Sequence, residues 1–307
     1  MPRAKQPKPV QQLTVKQFEA MFPDEEACRA YLKARRWPNG VHCPRCGNPK
    51  VYELHTRPWH WQCTQCAPGG STGYRFSLLA GTIFENTNKP LRDWFQVTHL
   101  LLTSKKGTSA RHIWRYMGFG SLKTAWYMAH RIRAAMAADP VEKLGGIVEV
   151  DETFVGGKGQ NRHKDKRGDG PRGSLGSGKV PVAGAVSRKG NVVARVVANV
   201  QSYTLTCFIN EAVSSKVSLL CTDSHIGYKH LGMQYPHKAV DRSKAEYVIG
   251  AVHTNTIEGF WSILKRGIIG NYHQVSRKYL PLYVAEFQFR YNNRHNADIF
   301  GEAVARC

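Results

Sequence analysis

The stretch Ile147-Val148-Glu149-Val150-Asp151-Glu152-Thr153-Phe154-Val155 decides how this chain is read. Apolar and polar residues alternate, as in a strand whose successive side chains point to opposite faces. Val148, Val150 and Phe154 share one face. Glu149, Asp151 and Thr153 share the other. A carboxylate in mid-strand is costly to bury unless it is paired or binds a cation. The stretch therefore predicts a strand with an acidic group built into one side.

Outward from it, toward the C-terminus, residues 156–179 are rich in Gly, Lys, Arg and Asp without an apolar period, which predicts a basic, irregular insertion. Val180 to Val186 and Val192 to Val200 read as strands, with Gly190-Asn191 as a hairpin turn. A helix is expected over Tyr203–Ser214. A short apolar run, Val217 to Cys221, then ends at Thr222-Asp223. A residue at the C-terminal end of such a strand faces the crevice where α/β sheets bind ligands. The C-terminal part reads as helices punctuated by Gly267, Gly270 and Pro281. Ile257, Trp261, Leu264 and Ile268 make one helical stripe. Glu258, Ser262 and Lys265 make an adjacent polar one.

Toward the N-terminus, Thr14 to Trp37 reads as helix broken at Pro23. Cys43-Pro44-Arg45-Cys46 and Cys63-Thr64-Gln65-Cys66 are two CxxC knuckles with 16 residues between them. Each tight turn points two sulfurs at one point, and four thiolates complete a tetrahedral, structural zinc site. Strand-like Val51–Leu54 and Trp59–Cys63 between the knuckles fit a zinc ribbon. Pro90 to Ala138 reads as three helices, the second capped by Thr108 or Ser109 and joined to the third through Gly118-Phe119-Gly120. The third carries Lys123, His130, Arg131 and Arg133. Two readings stay open for this segment: a helix-turn-helix that reads DNA, and a packing layer with a solvated basic face.

Composition narrows the partners. Forty-four Lys and Arg against 22 Asp and Glu give a formal charge of +22. That excess attracts polyanions, of which nucleic acid is the commonest. No apolar run is long enough to span a bilayer, and Met1 to Val10 lacks the apolar core of a secretory signal. The paired and scattered cysteines suit a reducing, cytoplasmic compartment better than a disulfide framework.

Taken singly, the acidic residues have structural explanations. Asp151 fits a buried ion pair. Asp223 fits a turn or helix cap. Glu258 fits a capping box in which it would bond back to the Asn255 amide from the third helical position. Glu149 shares a face with Asp151 and fits an accessory ligand; Glu152 points the other way.

Three segments change that balance. Val-Asp-Glu-Thr-Phe-Val-Gly-Gly at 150–157, Thr-Asp-Ser-His-Ile-Gly-Tyr at 222–228 and His-Thr-Asn-Thr-Ile-Glu-Gly-Phe-Trp-Ser-Ile-Leu-Lys-Arg at 253–266 resemble the DDE transposases of bacterial insertion sequences. The resemblance is to the ISXO2-like group, which carries an N-terminal zinc ribbon. It runs from about Phe18 to Asn293, and 34 residues separate Asp223 from Glu258, a spacing well known in that superfamily. It implies a ribonuclease-H-like α/β fold: a mixed sheet with flanking helices, the strands from about 147, 180 and 192 antiparallel and the one ending at Asp223 parallel. It further implies that Asp151, Asp223 and Glu258 are catalytic and hold two Mg²⁺ or Mn²⁺ ions. Lys265 matches a basic residue thought to contact the element's terminal DNA, and Arg266 follows it. The long insertion departs from the bare superfamily fold.

The expected organisation is a helical segment at 14–37, a zinc ribbon at 40–75 and a helical, helix-turn-helix-like region at 88–138. A catalytic domain follows at 145–295, with the insertion at 156–179. Zinc is expected on Cys43, Cys46, Cys63 and Cys66, and DNA on Lys265, Arg266, Lys123 and Arg131. The expected activity is cleavage at element ends and transfer of the 3′-hydroxyl into target DNA. The partners are double-stranded DNA and further copies of the chain, with no membrane. Two rivals stand beside it: a zinc-ribbon regulator with a silent catalytic fold, and a nuclease that cuts without joining.

Overall fold

The structure is a computed structural model that describes residues 13–66, 73–137, 142–157, 178–240 and 253–307. Most of the basic insertion, including Arg162, Lys164, Lys166, Arg167 and Arg172, lies outside the described residues. The chain divides into two compact units. One comprises Met1–Met136 with His295–Cys307; the other is Ala137–Arg294.

In the first unit, α1 (Val15–Met21) and α2 (Glu25–Arg36) flank Pro23. Thr14 and Gln17 form a capping box on α1, and Asp24 caps α2 through the Ala27 N–H at 2.8 Å. An antiparallel sheet of β1 (Val51–Glu53), β2 (His60–Cys63) and β3 (Tyr74–Ser77) follows. Then come α3 (Leu91–Thr103), α4 (Ala110–Met117) and α5 (Leu122–Ala137). Ser109 caps α4, and Gly118 ends it at φ 65°, the left-handed conformation that glycine adopts without steric cost. Pro90 brings no side-chain cap to α3; the Glu25 carboxylate instead accepts the Leu91 and Arg92 N–H groups at 2.9 and 3.0 Å. The C-terminal helix α9 (Ile299–Ala305) belongs to this unit. Its Phe300 packs within 5.4 Å of Phe22 and 5.5 Å of Phe95, closing an aromatic core.

The second unit carries a five-stranded mixed sheet. Its strands are β4 (Ile147–Val155), β5 (Val180–Ser187), β6 (Val192–Val196), β7 (Leu219–Asp223) and β8 (His237–Val240), in the spatial order β6-β5-β4-β7-β8. The first three are antiparallel, while β7 and β8 run parallel to β4. This is the ribonuclease-H-like sheet the sequence predicted. Helix α6 (Ser202–Ala212) covers one face with a core of Val148, Val150, Leu205 and Ile209. Helices α7 (Asn255–Gly267) and α8 (Leu280–Asn292) cover the other, over Val155, Val182, Val186 and Val192.

Polar side chains finish what the apolar layers begin. β6 is an edge strand, and an open edge invites pairing with another chain. Gln288 and Asn292 of α8 occupy it: their side-chain oxygens accept the Ala194 and Val192 N–H groups, both at 2.8 Å, and the Asn292 amide donates to the Val192 carbonyl at 3.0 Å.

Candidate active site and metal centre

Strand parity holds in the folded chain. Val148 and Val150 enter the core under α6. Glu149 and Asp151 face α7, whose Thr256 and Trp261 bond to them. Glu152 turns the other way, where the Tyr228 hydroxyl donates to it at 2.5 Å.

Register sets Asp151 and Asp223 on neighbouring strands. The parallel ladder pairs Val148 with Leu220 and Glu149 with Cys221. The ladder ends there, and two residues further along stand Asp151 in β4 and Asp223 at the end of β7. Asp151 is buried and Asp223 half-buried. Asp223 Oδ1 accepts the His225 N–H at 3.1 Å, which holds the turn that ends β7.

Glu258 lies on α7, three residues before Trp261. Ile257, Phe260, Trp261 and Leu264 are the helix's buried stripe, and Glu258 is exposed beside it. Trp261, three residues on and so on a neighbouring helical face, donates its indole N–H to Asp151 Oδ2 at 3.1 Å. The indole lies over Gly184, the residue of β5 directly opposite Asp151. A Cβ at Gly184 would sit 2.5 Å from the Trp261 ring. Glycine at 184 is thus what lets α7 approach the sheet closely enough for the bond to form.

The start of α7 differs from the capping box that Asn255 and Glu258 suggest. The helix begins at Asn255, which puts Glu258 fourth, and Glu258 Oε1 accepts the Thr254 hydroxyl at 3.1 Å. The acceptor for the first helical N–H groups is Glu149, fully buried in β4. Its Oε2 takes the Thr256 and Ile257 N–H at 2.7 and 3.1 Å. Its Oε1 takes the Thr256 hydroxyl at 2.9 Å and Arg188 Nε at 2.8 Å, and His253 Nδ1 lies 3.1 Å away. A carboxylate so surrounded is an anchor for the positive end of a helix dipole, not an accessory metal ligand.

Electrostatics on the α6 side are also organised. Burial pushes the Glu152 carboxyl up; the Tyr228 hydrogen bond pulls it back, and the Asp223 charge pushes it up again. Burial and the Glu152 charge push the Tyr228 phenol well above its ordinary value, so it stays protonated and donating. Neither role was legible in the sequence, since each depends on what the chain places opposite.

The cysteine cluster is closed. Cys43, Cys46, Cys63 and Cys66 place their sulfurs within 4.8 Å of one another. Cys43 and Cys66 Sγ are 3.9 Å apart, Cys46 and Cys63 Sγ 3.7 Å. Four thiolates at about 2.3 Å from a tetrahedral zinc stand about 3.8 Å from one another, so the cluster fits that ion. Among the described residues it is the one group of metal-ligating side chains this tight. The carboxylates of Asp151, Asp223 and Glu258 do not form so tight a group, and as hard oxygen donors they suit Mg²⁺ or Mn²⁺ in kind.

The transposase zinc-ribbon family model matches residues 23–68, which hold all four cysteines. The ISXO2-like transposase domain model matches residues 143–292, which hold Asp151, Asp223 and Glu258. The chain thus carries a transposase zinc-ribbon domain followed by an ISXO2-like transposase domain. A relative from Halobacterium salinarum, described as an uncharacterized protein in transposable element ISH50, is 29% identical over 282 residues, covering 88% of this chain and 91% of that one. A solved simian T-cell lymphotropic virus intasome in complex with PP2A regulatory subunit B56 gamma matches 64% of this chain and 65% of that chain. At 14% identity and a TM-score of 0.28, that likeness is too slight to bear on fold or function.

The residues that the sequence assigned to DNA fall in both units. Lys265 and Arg266 are exposed in the last turn of α7. Lys123 is exposed in the first turn of α5. Arg131 is half-buried; its guanidinium donates to the Tyr127 hydroxyl at 3.1 Å and stacks near Trp94 and Tyr127. His130 and Arg133 are buried within the unit, which removes two of the four basic groups that suggested a recognition helix. Among the described residues, no helix is long and apolar enough to cross a membrane.

Proposed function

We propose that this chain is a metal-dependent DNA transposase that cleaves the ends of its insertion sequence and joins the freed 3′-hydroxyl to target DNA. The observation that supports this reading is that Asp151 and Asp223 stand on adjacent parallel strands, with α7, the helix bearing Glu258, packed on Asp151 through Trp261. These three would hold two divalent cations, Mg²⁺ or Mn²⁺, which when bound supply activation of the attacking oxygen and stabilisation of the leaving oxygen in an in-line displacement at phosphorus.

The chain's own groups prepare that site. Trp261 orients Asp151 through its indole N–H and covers it with apolar surface, excluding water. Glu149 and Arg188 fix the first turn of α7, and with it the height of Glu258 above the sheet. Lys265 and Arg266, two turns beyond Glu258, contact phosphates of the element end. The catalytic domain spans 145–295. The zinc ribbon (40–75) and the helical region (88–138), with Lys123 exposed and Arg131 bracing Tyr127, recognise the ends. The chain acts in the cytoplasm, as a homo-oligomer on double-stranded DNA.

The test is a cleavage and strand-transfer assay in Mg²⁺ or Mn²⁺, on DNA bearing the inverted repeats that flank the coding sequence. Asp151→Asn, Asp223→Asn and Glu258→Gln should each abolish both steps while leaving DNA binding intact. Cleavage without joining would make the chain a nuclease. DNA binding by the wild-type chain with neither cleavage nor joining would make it a DNA-binding regulator, and full cleavage and joining in all three variants would sink the assignment of these residues.

A further inference from the structure

Both elements that carry the catalytic candidates continue to one cleft. From Asp151, β4 runs four more residues to Val155; from Glu258, α7 and the π-helical turn that follows it reach Ile268 in ten. Val155 and Ile268 both line a cleft of about 740 Å³ in the second unit. The strand rise of about 3.3 Å per residue puts it about 13 Å from Asp151. The helical rise of about 1.5 Å gives about 15 Å from Glu258.

The lining has one sign of charge. Lys179, His273 and Arg277 contribute to it, Gln274 adds an amide, and among the described residues no carboxylate lines it. The backbone is specialised here too. α7 widens into a π-helical turn over Ile268–Tyr272 and then turns sharply, with His273 at φ 58° and ψ −48°. The Gln274 N–H closes that turn on the Tyr272 carbonyl at 2.6 Å. A three-residue turn with positive φ at a non-glycine centre is rare and strained, and such strain collects at functional positions. It presents His273 and Gln274 as exposed side chains on the cleft wall, next to Ile269, which is 71% exposed.

We infer that this cleft holds the sugar-phosphate backbone of the DNA whose scissile phosphate lies at the carboxylates. The inference rests on the transposase reading and adds a second, separate binding surface to it. A B-form strand advances about 3.4 Å per nucleotide, so the cleft receives phosphates roughly four nucleotides from the cut. Lys265 and Arg266 lie on α7 between the two points and continue the basic track. The cleft contributes affinity and register, carrying no base sequence information of its own.

The test measures binding of the full chain to a labelled random-sequence DNA duplex over a range of salt. Removing one cation that neutralises a phosphate lowers the slope of log affinity against log salt by about one. The Lys179→Ala/Arg277→Ala double variant should therefore lower it by roughly two. The control is Lys143→Ala/Lys216→Ala, an equal charge change at the opposite end of the sheet, which should leave the slope near that of the wild type. All four side chains are at least partly solvent-exposed, and thermal melts check that the variants fold. An unchanged slope in the cleft variant, or an equal fall in the control, overturns the inference. If that happens while wild-type cleavage and joining persist, the cleft assignment alone is lost. A wild-type chain that does not bind the duplex overturns the transposase reading as well.

Discussion

Glu149 Oε2 accepts the Thr256 backbone N–H at 2.7 Å across 107 residues of sequence. One buried side chain thus fixes where a helix begins, and every later residue of α7 inherits its height over the sheet. Glu25 caps α3 in the same manner, where Pro90 brings no side-chain cap. In each case the helix start is written in a distant element.

Removing that anchor should be costly. Glu149→Ala leaves Arg188 and two helical N–H groups without their buried acceptor. Breaking a buried charged pair in this way costs about 3–5 kcal/mol. Urea unfolding should show that loss, whereas Thr256→Val, which removes only the hydroxyl, should cost about 1 kcal/mol. Equal small losses in both would sink the anchor role.

Gly184→Ala tests the seat of Trp261. The added methyl meets the indole at 2.5 Å, so the ring must move and the bond to Asp151 must break. Overpacking of this kind costs about 1–3 kcal/mol. Trp261→Leu in the same chain should recover part of that loss, and a double-mutant cycle reads the coupling. Strictly additive losses would contradict the close approach.

Zinc content separates the two metal centres. Chain purified without added metal should hold one zinc by elemental analysis. Cys46→Ser should lose it, and Asp151→Asn should keep it. Chelation should melt the ribbon while the five-stranded sheet persists, because thiolate ligands supply folding energy only to their own module. A zinc equivalent lost in Asp151→Asn would place it elsewhere.

The edge strand β8 should be acid-sensitive. His237 Nε2 lies 2.8 Å from the Thr222 hydroxyl, and burial lowers the imidazole pKa from its ordinary 6.5. A lowered folded pKa means the unfolded chain takes up the proton first. Stability is then complete above pH 6.5 and declines as pH falls below it. In His237→Gln this part of the decline should vanish, as urea midpoints at neutral and mildly acidic pH would show. The same pH dependence in variant and wild type would refute it.

The turn at His273 should trade stability for binding. His273→Gly relieves a strained backbone worth about 1–3 kcal/mol and should raise the thermal midpoint. It also removes a cleft side chain, so DNA affinity should fall. A lower midpoint would show that the turn is not strained.

Local patterns alone determined much of this protein. Alternation in Ile147–Val155 fixed a strand and the faces of Asp151 and Glu152, because side-chain period follows from backbone geometry. The CxxC spacing fixed a four-sulfur cluster, because two intervening residues are what a metal knuckle needs. Helical periodicity placed Trp261 on the buried stripe of α7.

Tertiary structure decided the rest. Glu149 looked like a spare ligand until Thr256, Ile257 and Arg188 were brought to it. Glu258 looked like part of its own cap until Glu149 took that role. His130 and Arg133 looked like DNA-facing groups until packing buried them. Phe300 closes a core begun by Phe18, hundreds of residues earlier in the chain. A sequence shows which groups a residue carries. What satisfies a buried charge or a helix end is set by partners far along the chain, and their arrival depends on the packing of the whole fold.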